Sequence, residues 1–337
     1  MLKDILKIEP SSMTITPTHK CTASCHDCCF ACTPAITHVM ETEKVIKYID
    51  EAISTFPSIK LVVITGGECF LLGNNLDYII KHASSYGVMV RVVTNGFWAN
   101  TYEDAYNRLQ SLVDAGLTEL NISTGDNHQK YVPFANIINA TNAAYDLGIQ
   151  SICISVERTY SSKFKSECIK ENHIMKSLIK KGILHVIDAA WMKFKNNVND
   201  FEKKIMYVDN KRPCPNIFRG IVINPYSQML SCCGLTVEYN KFLKLGNIDD
   251  LSIKELYDKQ FNDLYKFWLF VDGPEFIYEK LMNYKNVPPK TFPHECAYCI
   301  EIIKNEDDLF ILRELIKKEL PNIIFRYKLN TTQLNII

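Results

Sequence analysis

The sequence predicts an α/β protein: a partial (β/α)6 barrel of the TIM type, followed by a smaller C-terminal region. Three observations predict it. Short apolar runs alternate with helix-period segments six times over roughly the first 190 residues. Helical segments close at glycines, Gly87, Gly116, Gly148 and Gly182, and an apolar run then begins. The run Lys60-Leu-Val-Val-Ile-Thr65 is continuously apolar, the mark of a parallel sheet covered on both faces. Such alternation implies right-handed crossovers. Six units rather than eight leave one side open to a large substrate.

The first strand is Ser12 to Thr18, ending where a cysteine-rich loop begins. Glu43 to Thr55 is a helix with apolar positions at Val45, Ile46, Ile49 and Ile53. After strand Lys60 to Thr65 come helix Leu76 to Tyr86, strand Val88 to Thr94 and helix Tyr102 to Ala115. Strand Thr118 to Thr124, helix Pro133 to Leu147 and strand Ser151 to Glu157 continue the pattern. Helix Ser166 to Lys181 and strand Leu184 to Ala189 complete it. After Trp191 the pattern changes. Gly220 to Ser231 reads as a hairpin, with Asn224-Pro-Tyr-Ser at the turn. Helix Ser252 to Leu269 follows, then an irregular stretch through Pro288-Pro289 to Cys299. Helix Glu306 to Leu320 is expected to stop at Pro321, leaving a strand and a loose tail to Ile337. The expected division is a barrel core over 1–195 and a C-terminal region over 196–337.

Composition excludes several classes. Hydrophobic content of 47% and charged content of 23% are ordinary for a globular protein. Lys+Arg and Asp+Glu both number 38, so no global basic field draws in nucleic acid or an anionic membrane. Met1 to Pro10 is charged and lacks a signal-peptide core. The longest apolar runs, such as Trp268 to Val271, are too short to span a bilayer. A cytoplasmic location is expected.

Thirteen cysteines in a reducing compartment are not a disulfide framework. Cys153 and Cys168 read as buried small apolar residues. Cys21, Cys25 and Cys28 lie in the run Cys21-Thr-Ala-Ser-Cys25-His-Asp-Cys28, at the C-terminal mouth of the expected barrel. Three thiols so spaced can hold three irons of a [4Fe-4S] cluster and leave the fourth open to a ligand. Zinc is the competing reading, with Cys29, Cys32 or His26 as the fourth ligand.

This spacing resembles the signature of the radical S-adenosylmethionine (radical SAM) enzymes. The family's companions are present. Gly66-Gly67-Glu68 directly follows the second strand, and the resemblance implies that its backbone approaches the methionine amino group of the cofactor. Asn95, in Thr94-Asn95-Gly96, follows the third strand, and Ser123 and Asp126 follow the fourth. Glu157 follows the fifth. Polar residues at these strand ends suit the ribose and carboxylate of S-adenosyl-L-methionine, although Asn-Gly and Gly-Asp are also ordinary turn pairs. One departure stands out. The family usually carries an aromatic residue just before its third cysteine, and here that residue is Asp27, with Phe30 two positions after Cys28. His19, His26 and His128 lie near these loops and carry little weight; Cys29 and Cys32 read as loop packing.

Cys214, Cys232, Cys233, Cys296 and Cys299 form a second group. Cys214, Cys232, Cys296 and Cys299 suit a second, auxiliary [4Fe-4S] cluster or a structural zinc site. The layout resembles the twitch and SPASM extensions of peptide-modifying radical SAM enzymes. The adjacent pair Cys232-Cys233 points to opposite sides of an extended segment, so one thiol can bind metal while the other faces the barrel mouth. With the run Cys28-Cys29-Phe30-Ala-Cys32, this resembles the epimerases of ribosomally made peptides. By that resemblance Cys233 is the hydrogen-atom donor and Cys232 a ligand, or the reverse. The implied reaction converts L- to D-residues in a precursor peptide. Thioether or carbon–carbon cross-linking is the alternative, and an iron–sulfur sensor or zinc module the non-enzymatic one. A flavodoxin- or ferredoxin-type reductant is implied. The short stretch before Cys21 leaves no room for the winged-helix leader-binding domain that some relatives carry.

Overall fold

The computed structural model describes Leu6 and residues 8–158, 162–191 and 212–334. Six strands, the first five each followed by helix, run in the expected order. They are β1 (Ser12–Ile15), α1 (Thr42–Thr55), β2 (Leu61–Ile64), α2 (Asn74–Ser84), β3 (Met89–Thr94) and α3 (Tyr102–Asp114). Then come β4 (Glu119–Thr124), α4 (Phe134–Asp146), β5 (Ser151–Arg158), α5 (Ser166–Lys170), α6 (His173–Lys180) and β6 (Leu184–Ala190). All six strands pair in parallel with their sequence neighbours. The single helix expected over Ser166–Lys181 is two. Asn172 interrupts it, and its side-chain oxygen caps α6 by accepting from the Ile174 and Met175 amides.

Strand period 2 sorts the residues between two environments. Val90 and Val92 of β3, Leu120 and Ile122 of β4, and Ile152 and Ile154 of β5 are fully buried. Their alternates Arg91, Asn121, Ser123, Cys153 and Ser155 are only half-buried and mostly polar. One face of the sheet therefore packs on the helices, and the other is a polar concave face, not the sheet apolar on both faces that β2 suggests in sequence.

The C-terminal region begins with β7 (Gly220–Ile223), β8 (Gln228–Leu230) and β9 (Lys244–Asn247). It continues as α7 (Ile253–Lys259), α8 (Leu264–Tyr284), α9 (Glu295–Glu301) and α10 (Glu306–Leu334). The expected hairpin is present, but it is not separate. β7 pairs in parallel with β1, so the sheet has nine strands in the order β6-β5-β4-β3-β2-β1-β7-β8-β9. The division at 195/196 lies outside the described residues.

Three helical expectations need correction. The helix expected over Ser252–Leu269 is α7, a 3-10 turn at Gln260–Asn262, and the start of α8. The stretch expected to be irregular holds most of α8 and most of α9, because Gly273 takes up the kink (φ 79°) and Pro274 then begins a new helical run. Pro321 does not end α10, which runs on to Leu334, so the strand expected after it is helix as far as Leu334; residues 335–337 lie outside the described chain. No helix among the described residues is long and apolar enough to cross a membrane.

Candidate active site

The C-terminal ends of β1 to β5 gather the loops named from sequence. Cys21, Cys25 and Cys32 are buried in one small cluster, with Cys28, Phe30 and Trp191 packed against it. Amides are supplied to the sulfurs: Ala23 N–H donates to Cys21 Sγ (3.4 Å) and Cys32 N–H to Cys28 Sγ (3.4 Å). Asn95 Nδ2 lies 3.7 Å from Cys21 Sγ and donates to Thr22 Oγ1 at 3.0 Å. Burial pushes the Cys21 thiol up to about 11 and the Cys25 thiol up to about 12. The hydrogen bond from Cys32 draws Cys28 down to about 6 and drives Cys32 upward. Cys32 is thus a donor to a sulfur of the motif, a role that spacing alone does not reveal.

Gly66 and Gly67 press against this loop. A Cβ at Gly66 would lie 2.4 Å from Thr18 O, and one at Gly67 would lie 2.0 Å from Lys20 O. Gly67 N–H donates to Thr18 O (2.8 Å) and Glu68 N–H to Lys20 O (2.9 Å). Glu68 is fully buried. Its carboxylate accepts from Phe70 N–H (3.0 Å), Thr94 Oγ1 (2.9 Å) and Asn95 N–H (2.8 Å). Burial outweighs these three donors and lifts the carboxyl to about 7. Both Glu68 oxygens are engaged in tying the second loop to the third. In this arrangement it braces the site rather than facing the mouth.

Asp126 likewise accepts from the Lys163 (2.7 Å) and Phe164 (2.9 Å) amides, fixing the loop after β5. Glu157 is buried; it accepts from Asn127 N–H and meets His128 Nδ1 at 3.1 Å. Asn127 Nδ2 in turn reaches Asp27 Oδ2 (3.2 Å) in the cysteine loop. Asp27, in the place of the expected aromatic, therefore anchors that loop to the one after β4. Ser123 is half-buried on the concave face. Of the histidines, His19 stacks on Phe30 (5.4 Å between ring centroids) and meets Tyr226 of the hairpin turn (5.9 Å). His38 stacks on the same Tyr226 (5.1 Å) and bonds Pro225 O (2.8 Å). The hairpin turn is clamped to the first loop by these rings, a contact with no sequence signature.

The second cysteine group also assembles. A Cβ at Gly234 would meet Cys296 Sγ at 3.0 Å and Cys232 Sγ at 3.4 Å. Cys214 and Cys296 are the charges that act most on Cys232, and Cys214 acts on Cys299. Burial pushes the thiols of Cys214, Cys232 and Cys296 up, and that of Cys299 up to about 12. Cys214 is positioned by its own N–H, which donates to Leu269 O (3.0 Å). Tyr265 Oη lies 3.7 Å from Cys299 Sγ.

Cys233 differs. Its residue surface is exposed, unlike buried Cys232. Its sulfur is nonetheless walled closely enough for burial to raise the thiol pKa, and it lies 3.8 Å from Asn216 Oδ1. It feels Arg91 on the concave face of β3, and Cys29 of the first loop feels Cys233 in turn. Cys168, expected to be buried, is exposed on α5, and Cys153 is half-buried on β5. Among the described residues, no three His, Cys, Asp or Glu side chains converge tightly enough to hold a single metal ion.

Residues 15–156 match the model of the Radical SAM superfamily. The chain is 22% identical over 308 residues to the putative peptide biosynthesis protein YydG of Bacillus subtilis (strain 168), covering 88% of this chain and 93% of that protein. It resembles the solved structure of native anSMEcpe with bound AdoMet, with TM-score 0.55 and 14% identity over 94% of this chain and 98% of that one. The same protein with AdoMet and the Kp18Cys peptide gives TM-score 0.54 and 13% identity, over 92% and 99%. These likenesses establish the partial-barrel fold.

Proposed function

From a radical SAM domain over residues 15–156, we propose that this chain epimerises residues of a ribosomally made peptide, with Cys233 as hydrogen-atom donor. A peptide substrate is favoured by the likeness to YydG, whose name places it in peptide biosynthesis. The observation that carries the finer reading is the division of the adjacent pair. Cys232 is buried beside Cys214 and Cys296, while Cys233 is exposed and within electrostatic reach of Arg91 and Cys29.

The donor set fits iron–sulfur chemistry: three thiols on one loop, two of them with amide donors aimed at sulfur. Cys21, Cys25 and Cys28 would hold one cluster, and Cys214, Cys232, Cys296 and Cys299 a second. Asn95, Ser123 and the Gly66-Gly67 backbone would hold S-adenosyl-L-methionine. Glu68, Asp126 and Glu157 hold those loops in register. When bound, cluster and cofactor would together supply a 5′-deoxyadenosyl radical able to accept a Cα hydrogen atom. The Cys233 S–H then gives its hydrogen atom to the opposite face of the planar Cα centre, and the residue inverts with no net change in atoms. Cys233 is left one electron and one proton short. An external flavodoxin- or ferredoxin-type donor would supply the electron, and solvent the proton, that restore it. The polar concave face of β3 to β5 suits a peptide backbone better than an apolar lumen would.

The test is turnover of a candidate precursor peptide in D2O with anaerobically reconstituted enzyme. Thiol hydrogens exchange with solvent, so one deuterium at Cα per D-residue is expected. Cys233→Ala is expected to release 5′-deoxyadenosine but to form no D-residue. Loss of two hydrogens without deuterium at Cα would instead move the enzyme to the cross-linking class.

A further inference from the structure

A cavity of about 740 Å3 lies away from the mouth, between the 3-10 turn at Gln260–Asn262, the start of α8, β9 and the first half of α10. Its walls carry five basic side chains against two acidic ones. Three of the cations are already paired: Lys266 with Asp263, Lys317 with Glu314 (2.8 Å), and Lys244 with Glu238 (3.5 Å). Lys259 and Arg313 make no ion pair among the described residues. Phe310, 69% exposed, stands in the same wall. So does Gln260, which is 1% exposed and whose Nε2 and Oε1 both lack a partner. A buried amide with a donor and an acceptor both unmet suits the complementary pair offered by a peptide unit. β9 is the edge strand of the nine-stranded sheet and contributes Lys244 and Leu245 to the wall, and an edge strand is a template for an extended chain. The back of the cavity is Tyr265, whose hydroxyl touches Cys299 Sγ.

We propose that this cavity docks an extended segment of the peptide substrate, acidic and carrying apolar side chains, at a distance from the residues being modified. The proposal rests on the peptide reading above. Charge complementarity selects the occupant: Lys259 and Arg313 meet carboxylates, Phe310 covers an apolar side chain, and Gln260 meets the backbone. Docking here holds the substrate beside the second cysteine group while another part of it reaches the concave face of the barrel.

The test is fluorescence anisotropy with a fluorescein-labelled synthetic copy of the candidate precursor peptide, on the reconstituted full chain. Arg313→Glu and Phe310→Asp are expected to weaken binding about tenfold or more and to raise KM. Peptide-free release of 5′-deoxyadenosine and kcat at saturation stay as in the wild type. Raised salt weakens wild-type binding and has less effect on Arg313→Glu. Gln260→Leu removes an unpaired buried amide, so its melting temperature rises while its peptide affinity falls. A merely structural side chain would not give that combination. Unchanged affinity in all three variants overturns the docking site while leaving the peptide reading intact. No binding by the wild type overturns both. Loss of turnover with flavodoxin but not with dithionite shows the surface to serve the electron donor, and overturns the peptide assignment.

Discussion

At the residue scale, the mouth is held by close backbone contacts that only certain side chains permit. Gly67 is the sharpest case, because its missing Cβ would stand 2.0 Å from Lys20 O and 2.5 Å from Lys20 C. Backbone atoms cannot rotate away, so Gly67→Ala must push apart the second loop and the cysteine loop. A cost above about 3 kcal/mol is expected, together with poor cluster loading. Gly148→Ala is the control. Its φ is +79° but nothing lies within 4 Å of a Cβ there, so the expected cost is only about 1 kcal/mol. Urea melts of the two variants and iron content per chain check both. Comparable losses in the two would show that backbone conformation, not the contact with Lys20, is what Gly67 supplies. The segment Gly66-Gly67-Glu68 was legible in sequence from its place after a strand. The engagement of Glu68 with Thr94 and Asn95 was not, because it depends on two strands 26 residues or more apart in sequence meeting side by side.

At the element scale, the six βα units were legible because period and punctuation agree there. The C-terminal helices were not, because tertiary contacts override Gly and Pro. α10 continues through Pro321 although an interior proline costs about 3 kcal/mol. What offsets it lies beyond the proline: Ile323 is fully buried, and Arg326 grips Asp272 of α8 through two bonds of 2.7 and 2.6 Å. Asp272 also accepts from Trp268 Nε1 (2.8 Å). The kink at Gly273 follows at once, where a Cβ would stand 1.8 Å from Arg212 O. That close approach brings the chain past α8 to Cys214. Asp272→Ala leaves Arg326 without its partner against a helix and leaves the buried Trp268 indole without its acceptor. A loss of about 2–4 kcal/mol is expected, with lower iron content in the second cysteine group than in the first. Chemical denaturation and iron-to-protein ratios measure the two effects. An unchanged denaturation midpoint would mean that the second half of α10 is held by apolar packing alone.

At the scale of the whole molecule, the loops that carry the two cysteine groups extend from one continuous sheet. Spacing identified each group in the sequence, but nothing in the sequence said that β7 would lie beside β1. That register is set by four residue pairs from Ser12↔Gly220 to Ile15↔Ile223, and it is extended by Thr16 N–H donating to Ile223 O at 2.9 Å. The helical layer is continuous too. Ile253 N–H donates to Glu51 Oε1 of α1 (2.7 Å), Asp249 holds Lys44 (2.6 Å) and Tyr48 (2.9 Å), and Tyr257 packs on Phe56 (4.8 Å). A core over 1–195 that folds alone is therefore not expected. Removing the C-terminal region would bare the edge of β1, whose own Met13 and Ile15 are fully buried, and the face of α1 that meets α7. An open apolar edge strand pairs with other copies. Expression of residues 1–191 should thus give aggregate, or a soluble chain with no cooperative melt, and calorimetry of the full chain should show one transition. A fragment that melts cooperatively, or two resolved transitions in the full chain, would sink this reading. The C-terminal thiols would then sit on an independent domain, and the placement of Cys233 relative to Arg91 of β3 would depend on docking between domains rather than on the register between β1 and β7.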